Sequence, residues 1–192
     1  DEANVYHVAY KLPSMPDLGN FLRNAIKEKI SLSGAGDHTV SEAIYMTDPE
    51  GNGIEIYSDR DKELWTWENG HVSMGMDEVN VEKLFEISDG MPEYVLPIGS
   101  VIGHVHLESH NLTEYKDFYI NNLKLNITSE LQSAYFLSHD NYHHHFGMNQ
   151  WNPNYTKAKS EISTGIERIF ITVSKDKYEE IFSDFFHANM QL

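Results

Sequence analysis

The stretch GDHTVSEAIYMTDPEGNGIEIYSDR, residues 36–60, decides the fold class of this 192-residue chain. Residues 39–46 and 54–58 are rich in β-branched and aromatic side chains, which favour strands. Residues 48–53 read DPEGNG, and this cluster of Asp, Pro, Gly and Asn is typical of a tight turn. The stretch therefore predicts two strands joined as a β-hairpin.

A strand and a helix precede this hairpin. Residues 6–12 have the composition of a strand, and Pro13 and Pro16 break it. Residues 18–29 follow with apolar side chains at helical spacing, which indicates an amphipathic helix. The first part of the chain therefore predicts a strand, a helix and a hairpin as one structural unit.

The same order of elements returns twice further along the chain. The second copy has predicted strands over residues 101–108, 133–138 and 142–148 and a helix over residues 112–123. The third has a strand over residues 166–173 and a helix over residues 175–186. Repeats of this size each expose one sheet face and bury it by pairing. We therefore expect an α+β fold of repeated βαβββ modules with curved, mostly antiparallel mixed sheets.

The domain boundaries follow from this repeat. Residues 1–60 form the first module, and residues 98–192 form a second domain whose last module is incomplete. Residues 61–97 are expected to be an ordered linker, because they carry Trp65, Trp67 and a predicted helix.

Charge and composition disfavour several classes of function. The formal net charge of −16 argues against a nucleic-acid partner, because binding to phosphates depends on Lys and Arg. The chain has no cysteine, so a bound metal would need imidazole and carboxylate ligands. No apolar run is long enough to span a membrane, and residues 1–5 lack the features of a signal peptide. A cytoplasmic protein without a membrane partner is expected.

Eleven histidines are the most distinctive feature of the composition. His7 lies in the first predicted strand and Glu55 in the last strand of the same module, so both could face one concave surface. This pair suits a metal site, but His7 could equally be a hydrogen-bonded strand residue and Glu55 a solvated one. Most of the other histidines fall into two groups, which are His104, His106 and His110, and His139, His143, His144 and His145.

Residues 36–60 resemble the matching stretch of extradiol dioxygenases in the vicinal oxygen chelate superfamily, especially the two-domain catechol 2,3-dioxygenase-like proteins. The resemblance extends over nearly the whole chain, although its motifs are concentrated in the first module. It implies that His7 and Glu55 correspond to the second histidine ligand and the glutamate ligand of a metal. Two histidines and one carboxylate form the facial triad of non-haem Fe(II) enzymes. Fe(II) is therefore the expected cofactor, with Mn(II), Ni(II) or Zn(II) as alternatives.

The resemblance also implies a catalytic residue. His38, in the DH-x-VS motif, would lie beside the metal and act as an acid and base, because imidazole titrates near neutral pH. Alternatively, His38 bonds a backbone carbonyl in a turn. Tyr57 shares a strand face with Glu55, so it could donate a hydrogen bond to the substrate or belong to the core.

The histidines of the second copy have two interpretations. His104 corresponds in position to His7 and could form a second metal site with His106 or with one or two of residues 143–145. However, Arg168 stands where the third copy would need a histidine ligand, and arginine is not a ligand at neutral pH. We favour a hydrogen-bonded structural network for these histidines.

The resemblance implies that the chain is shorter than its relatives. They have a module before the one that contains His7, which would make residues 1–60 the second half of an N-terminal metal-binding domain. That module supplies the first histidine ligand, so two of three ligands are expected here, with little dioxygenase activity. A start at Asp1 instead of methionine also suggests a fragment. The first module should either self-associate, giving a homo-oligomer, or pack against the second copy in an arrangement unlike that of its relatives.

The leading functional hypothesis is a non-haem Fe(II) extradiol dioxygenase that acts on a catechol-type aromatic diol with O2. A glyoxalase-like isomerase or lyase is the second hypothesis, although such enzymes usually need two carboxylate ligands. A metal-free protein that binds a small aromatic ligand on the same fold is the third. Metal analysis distinguishes the three.

Overall fold

A computed structural model describes residues 2–160, 162–179 and 181. Its main feature is one eight-stranded mixed sheet built from two βαβββ halves. The first half comprises β1 (Val5–Leu12), α1 (Met15–Lys27), β2 (Leu32–Asp37), β3 (Ser41–Thr47) and β4 (Gly53–Asp59). A 3₁₀ turn (Lys62–Leu64), β5 (Trp67–Glu68), β6 (His71–Val72) and α2 (Val81–Ile87) follow. The second half comprises β7 (Val101–Glu108), α3 (Leu112–Leu123), β8 (Asn126–Leu131), β9 (Ala134–Ser138) and β10 (Phe146–Asn149).

The strand order β2-β3-β4-β1-β7-β10-β9-β8 puts the first strand of each half at the centre. β1 runs antiparallel to β7 and parallel to β4, and β7 runs parallel to β10. Each half therefore repeats the same internal order, and the sheet curls into a half-barrel. The predicted α+β fold of βαβββ modules is confirmed. Because β1 and β7 pair directly, the first module packs against the second copy, which is one of the two arrangements expected.

Local capping and burial explain the helices. Ser14 caps α1, since its Oγ accepts a hydrogen bond from the backbone N–H of Asp17 at 3.3 Å. Asn111 caps α3 in the same way, accepting from Glu114 at 3.2 Å. The buried face of α1 consists of Leu18, Phe21, Leu22 and Ala25, which pack on the sheet residues Leu12 and Ile44.

The connecting segment contributes to the packing through α2. Leu84 is 2% exposed and joins the core cluster beneath α1. A Cβ added at Gly19 of α1 would lie 2.3 Å from the carbonyl oxygen of Leu84, so the two helices are in close contact. The linker helix is therefore part of the fold. The division of the chain into a module, a linker and a second domain stays a prediction.

The structure differs from the predicted elements in several places. Four strands, β2, β5, β6 and β8, were not predicted, and β10 is shorter than predicted because residues 142–145 lie outside the strand. The strand predicted over residues 166–173 is wrong, since these residues are not in a strand and have no strand partner among the described residues. Residues 175–179 and 181 are helical, and the rest of the predicted terminal helix lies outside the described residues. In the part of the chain that the structure describes, no helix has the length and apolar character to cross a membrane.

Candidate metal centre and its cavity

Three potential metal ligands converge from three adjacent strands. They are His7 on β1, Glu55 on β4 and His104 on β7, and all three are buried. The register explains the convergence, because Ala9 of β1 pairs with Glu55 on one side and with His104 on the other. His7 shares a strand face with Ala9, whose small side chain leaves room for the three longer ones to meet. His7 and Glu55 are thus together, and their role as ligands stays a prediction.

The three nearest atoms form a small triangle. His7 Nε2 lies 2.9 Å from Glu55 Oε2, His104 Nε2 lies 3.3 Å from the same oxygen, and the two nitrogens are 3.4 Å apart. Ligands about 2.1 Å from a divalent ion lie roughly 3.0 Å apart at right angles and roughly 3.4 Å apart in a tetrahedron. The spacing and the donor set therefore fit a divalent metal. The prediction that the chain offers only two candidate ligands is corrected, because His104 lies with His7 and Glu55 as a third.

The charges within this triangle also suit a metal. Burial disfavours the Glu55 carboxylate, yet His104 and His7 hold its pKa well below its usual range. Burial lowers the pKa of His104 against the pull of Glu55. An anionic oxygen and a neutral imidazole are the forms that bind metals. His104 Nδ1 is buried and has no hydrogen-bond partner among the described residues, whereas its Nε2 contacts Glu55 and His7.

A hydrogen-bonded pair lies next to the triangle. His38 Nδ1 donates to the carbonyl of Gly75 at 3.1 Å, and its Nε2 lies within hydrogen-bond distance of the Tyr45 hydroxyl, at 2.6 Å. Tyr45 sits opposite Glu55 in the β3–β4 register. Burial, and then the nearby charge of Glu55, raise the pKa of Tyr45, so it keeps its proton. His38 therefore lines the same cavity as the triangle and also makes the carbonyl contact of the alternative interpretation, and its catalytic role stays a prediction.

Tyr57 has a different environment from the one a substrate donor needs. It is fully buried and does not line the cavity. The Tyr142 hydroxyl donates to Asp59 at 3.0 Å, so Tyr57 donates its own proton to Tyr142 at 2.8 Å. A Cβ on Gly103 would collide with the Tyr57 ring, which shows how closely β7 packs on it. This environment favours the core interpretation of Tyr57.

The remaining buried histidines of the second half form the expected polar network. His143 Nε2 donates to Asp59 Oδ1 at 2.8 Å, and its Nδ1 accepts from His144 Nδ1 at 2.8 Å. The His144 ring lies 4.1 Å from that of His104, centroid to centroid. His106 accepts a hydrogen bond from the Asn149 amide at 3.1 Å. The network supports the triangle from the second half of the sheet.

A cavity of about 910 Å³ opens above the triangle. Its volume is within the range of small-molecule sites. Residues of both halves line it, including His7, Glu55 and His38 from the first half and His104 from the second. Aromatic side chains contribute to its walls, namely Tyr6, Tyr45, Phe136, Trp151 and Tyr155. The arrangement can hold an aromatic ligand beside a metal.

The chain is similar to a known protein over most of its length. No family model matches the chain. The chain is 37% identical over 180 residues to a protein named catechol-2,3-dioxygenase from Bacillus subtilis (strain 168). The match covers 92% of this chain and 62% of that relative, so the chain spans less than two thirds of its length.

Two solved structures are distantly similar to this chain. One is a putative dioxygenase from Bacillus subtilis, with a TM-score of 0.48 and 13% identity over 76% of this chain and 40% of that chain. The other is methylmalonyl-CoA epimerase from Mycobacterium tuberculosis, with a TM-score of 0.40 and 7% identity over 83% and 90% of the two chains.

The paired βαβββ halves and the buried His–Glu–His cluster define a protein of the vicinal oxygen chelate type. The 37% sequence identity to the Bacillus subtilis protein agrees with this assignment. The chain belongs to the superfamily of glyoxalases and extradiol dioxygenases. Within it, the chain is catechol-2,3-dioxygenase-like.

Sequence reasoning missed two features of the site. His104 was assigned to the structural network, although His7 and His104 both stand in a His-Val pair near the start of a module's first strand. Their equivalent positions were the available signal, but only the pairing of β1 with β7 shows that they meet. Tyr45 was not singled out, because strand alternation does not reveal that its hydroxyl reaches His38.

Proposed function

We propose that this chain carries the centre of an extradiol ring-cleaving dioxygenase that uses Fe(II), a catechol-type diol and O2. The observation that supports this most strongly is the buried triangle of His7, Glu55 and His104 beneath a cavity with aromatic walls. Bound there, Fe(II) would act as a template and charge stabiliser for the oxygens of the diol and for dioxygen.

The neighbouring side chains would handle the protons. A diol binds most strongly as an anion, so a base must take one of its protons. His38 has a free acceptor position at Nε2 once the Tyr45 hydroxyl turns away, and an imidazole can return that proton later. Tyr45 keeps its own proton and orients His38 beside Glu55. We therefore assign His38 as the acid and base and Tyr45 as a hydrogen-bond donor.

The triangle contains a single carboxylate among the described residues, which favours the oxygenase over a glyoxalase-like isomerase with two carboxylate ligands. The protein of Bacillus subtilis that this chain resembles is named for the same chemistry. Both observations support the diol and O2 as substrates.

An iron titration followed by an oxygen-uptake assay tests the proposal. Under anaerobic conditions the chain should bind one Fe(II), and addition of catechol and air should consume O2 in step with the ring-cleaved product. His104→Ala and His7→Ala should lose iron binding, whereas His38→Ala should keep iron and lose turnover. His71→Ala, at an exposed position outside the cavity, is the matched control and should behave as wild type.

Two outcomes contradict the proposal. Iron binding without O2 uptake in the presence of a diol would point to an isomerase or lyase. Absence of metal binding, together with saturable binding of an aromatic ligand, would point to the metal-free binding protein.

A further inference from the structure

The charges that line the cavity limit the substituents a ligand can carry. Among the described residues, the lining includes two carboxylates, Glu55 and Glu108, and neither lysine nor arginine. An anionic substituent would therefore meet no lysine or arginine side chain on this wall.

Glu108 lies on the same strand face as His104 and His106, because the three residues alternate along β7. Four residues of strand separate Glu108 from His104, which is about 13 Å. This wall is therefore long enough to lie beside a diol held at the triangle and beside the substituent on its ring. The Glu108 carboxylate is partly buried and accepts a hydrogen bond from Tyr155.

Aromatic rings lie between the triangle and Glu108. Tyr6, His106 and Trp151 are in mutual contact, with ring centroids 5.2 to 5.3 Å apart. Faces of Tyr and Trp attract cations as well as apolar groups. This part of the wall is therefore suited to an apolar or cationic group and not to an anion.

On the basis of the proposed function, we propose that the cavity selects diols whose ring substituent is uncharged or carries a protonated amine, and that Glu108 determines this specificity. A substituent with a carboxylate would lose water and face Glu108 without a lysine or arginine side chain to pair with, which is unfavourable. An amine would form an ion pair with Glu108 beside Trp151 and Tyr6.

Anaerobic calorimetry on the Fe(II)-loaded chain tests the inference with three matched ligands: 4-methylcatechol, 3,4-dihydroxyphenylacetate and 4-(2-aminoethyl)catechol. The carboxylate compound should bind about tenfold more weakly than the methyl compound, and the amine at least as tightly as it. Glu108→Gln should lower the ratio of amine to carboxylate affinity about tenfold. Glu130→Gln, at an exposed position of β8, should leave that ratio unchanged.

Equal affinities for the three ligands, or an unchanged ratio in Glu108→Gln, would overturn the inference. Failure of the proposed function would appear differently, as loss of iron binding or of O2 uptake. In that case calorimetry measures the binding of 4-methylphenol, 4-hydroxyphenylacetate and tyramine to the metal-free chain, because these phenols carry the same three substituents. The same order of affinities supports the inference, and equal or undetectable binding contradicts it.

Discussion

The Tyr45 hydroxyl is hydrogen-bonded to His38 and also interacts with the carboxylate of Glu55, a proposed metal ligand. Tyr45→Phe removes this donor and leaves the ring in place. We expect turnover of a diol to fall roughly 10²-fold, the size of an acid–base contribution, while iron still binds. Steady-state O2 uptake at several pH values measures the effect, and a changed pH profile separates a proton-handling role from a loss of folding. Turnover equal to wild type would exclude Tyr45 from the proton path.

Tyr57, unlike Tyr45, is fully buried in the core. Its hydroxyl donates to Tyr142 in the core, so Tyr57→Phe should remove one buried hydrogen bond and lower stability by about 1 kcal/mol. Turnover should stay near that of wild type. Urea denaturation and oxygen uptake on the same preparation measure both properties. A large loss of turnover without a loss of stability would restore Tyr57 as a candidate donor to the substrate.

Arg60 directly follows β4 and connects it to β2 and β3. Its guanidinium donates to Asp37 at 2.5 and 2.6 Å and to Glu42 at 2.6 Å. Hydrogen bonds from Arg60 lower the pKa of Asp37 from its ordinary value of 3.8. Since the folded pKa lies below the unfolded one, the stabilisation is complete above about 3.8 and is lost as pH falls through the folded pKa.

Arg60→Met should therefore cost about 1 kcal/mol at pH 7, because a partly exposed ion pair contributes little, and the difference from wild type should shrink below pH 3.8. Thermal denaturation across this pH range is the measurement. Lys175→Met, which removes an exposed ion pair, serves as the control. A difference that stays constant into acid would mean that Arg60 stabilises by packing and not by charge.

The contact between α1 and α2 is tested at Gly19. An alanine there would put its Cβ against the carbonyl of Leu84, and overpacking of this kind costs about 1 to 3 kcal/mol. Gly34→Ala in β2 is the matched control, since no atom lies within 4 Å of the added Cβ. Chemical denaturation compares the two variants. Equal stabilities would show that α2 can move away from α1 without loss.

Helices and strands whose own residues carry the signal could be predicted from sequence. Strands that depend on pairing with a distant strand could not. Helix α1 and the hairpin have caps, periodicity and turn residues within their own segments. By contrast, residues 34–36 read Gly-Ala-Gly, which has weak strand propensity, yet they pair with β3 in the sheet. Residues 166–173 have strong strand propensity but no strand partner in the part of the chain that the structure describes, and Phe170 is 89% exposed. His104 joins the candidate site only through the register of β7 on β1.

For the molecule as a whole, the candidate site is divided between the two halves. The first half supplies His7 and Glu55 and the second supplies His104, so a bound ion would connect the halves across the β1–β7 pair. A ligand that binds only the folded state stabilises it by about 2.7 kcal/mol at 100 times its Kd. Metal binding should therefore stabilise the junction of the two halves in particular.

We expect Fe(II) or Zn(II) to raise the unfolding temperature in one cooperative transition and to slow hydrogen exchange in β1, β4 and β7 more than in the edge strands β2 and β8. His104→Ala should lose most of this shift, because only the first half would still contribute ligands. Light scattering across a range of protein concentrations accompanies the measurement, since self-association through the first module would also raise the unfolding temperature. If the protection in His104→Ala equals that of wild type, or if it appears only as the chain associates, the third ligand comes from elsewhere and the two halves do not share the site.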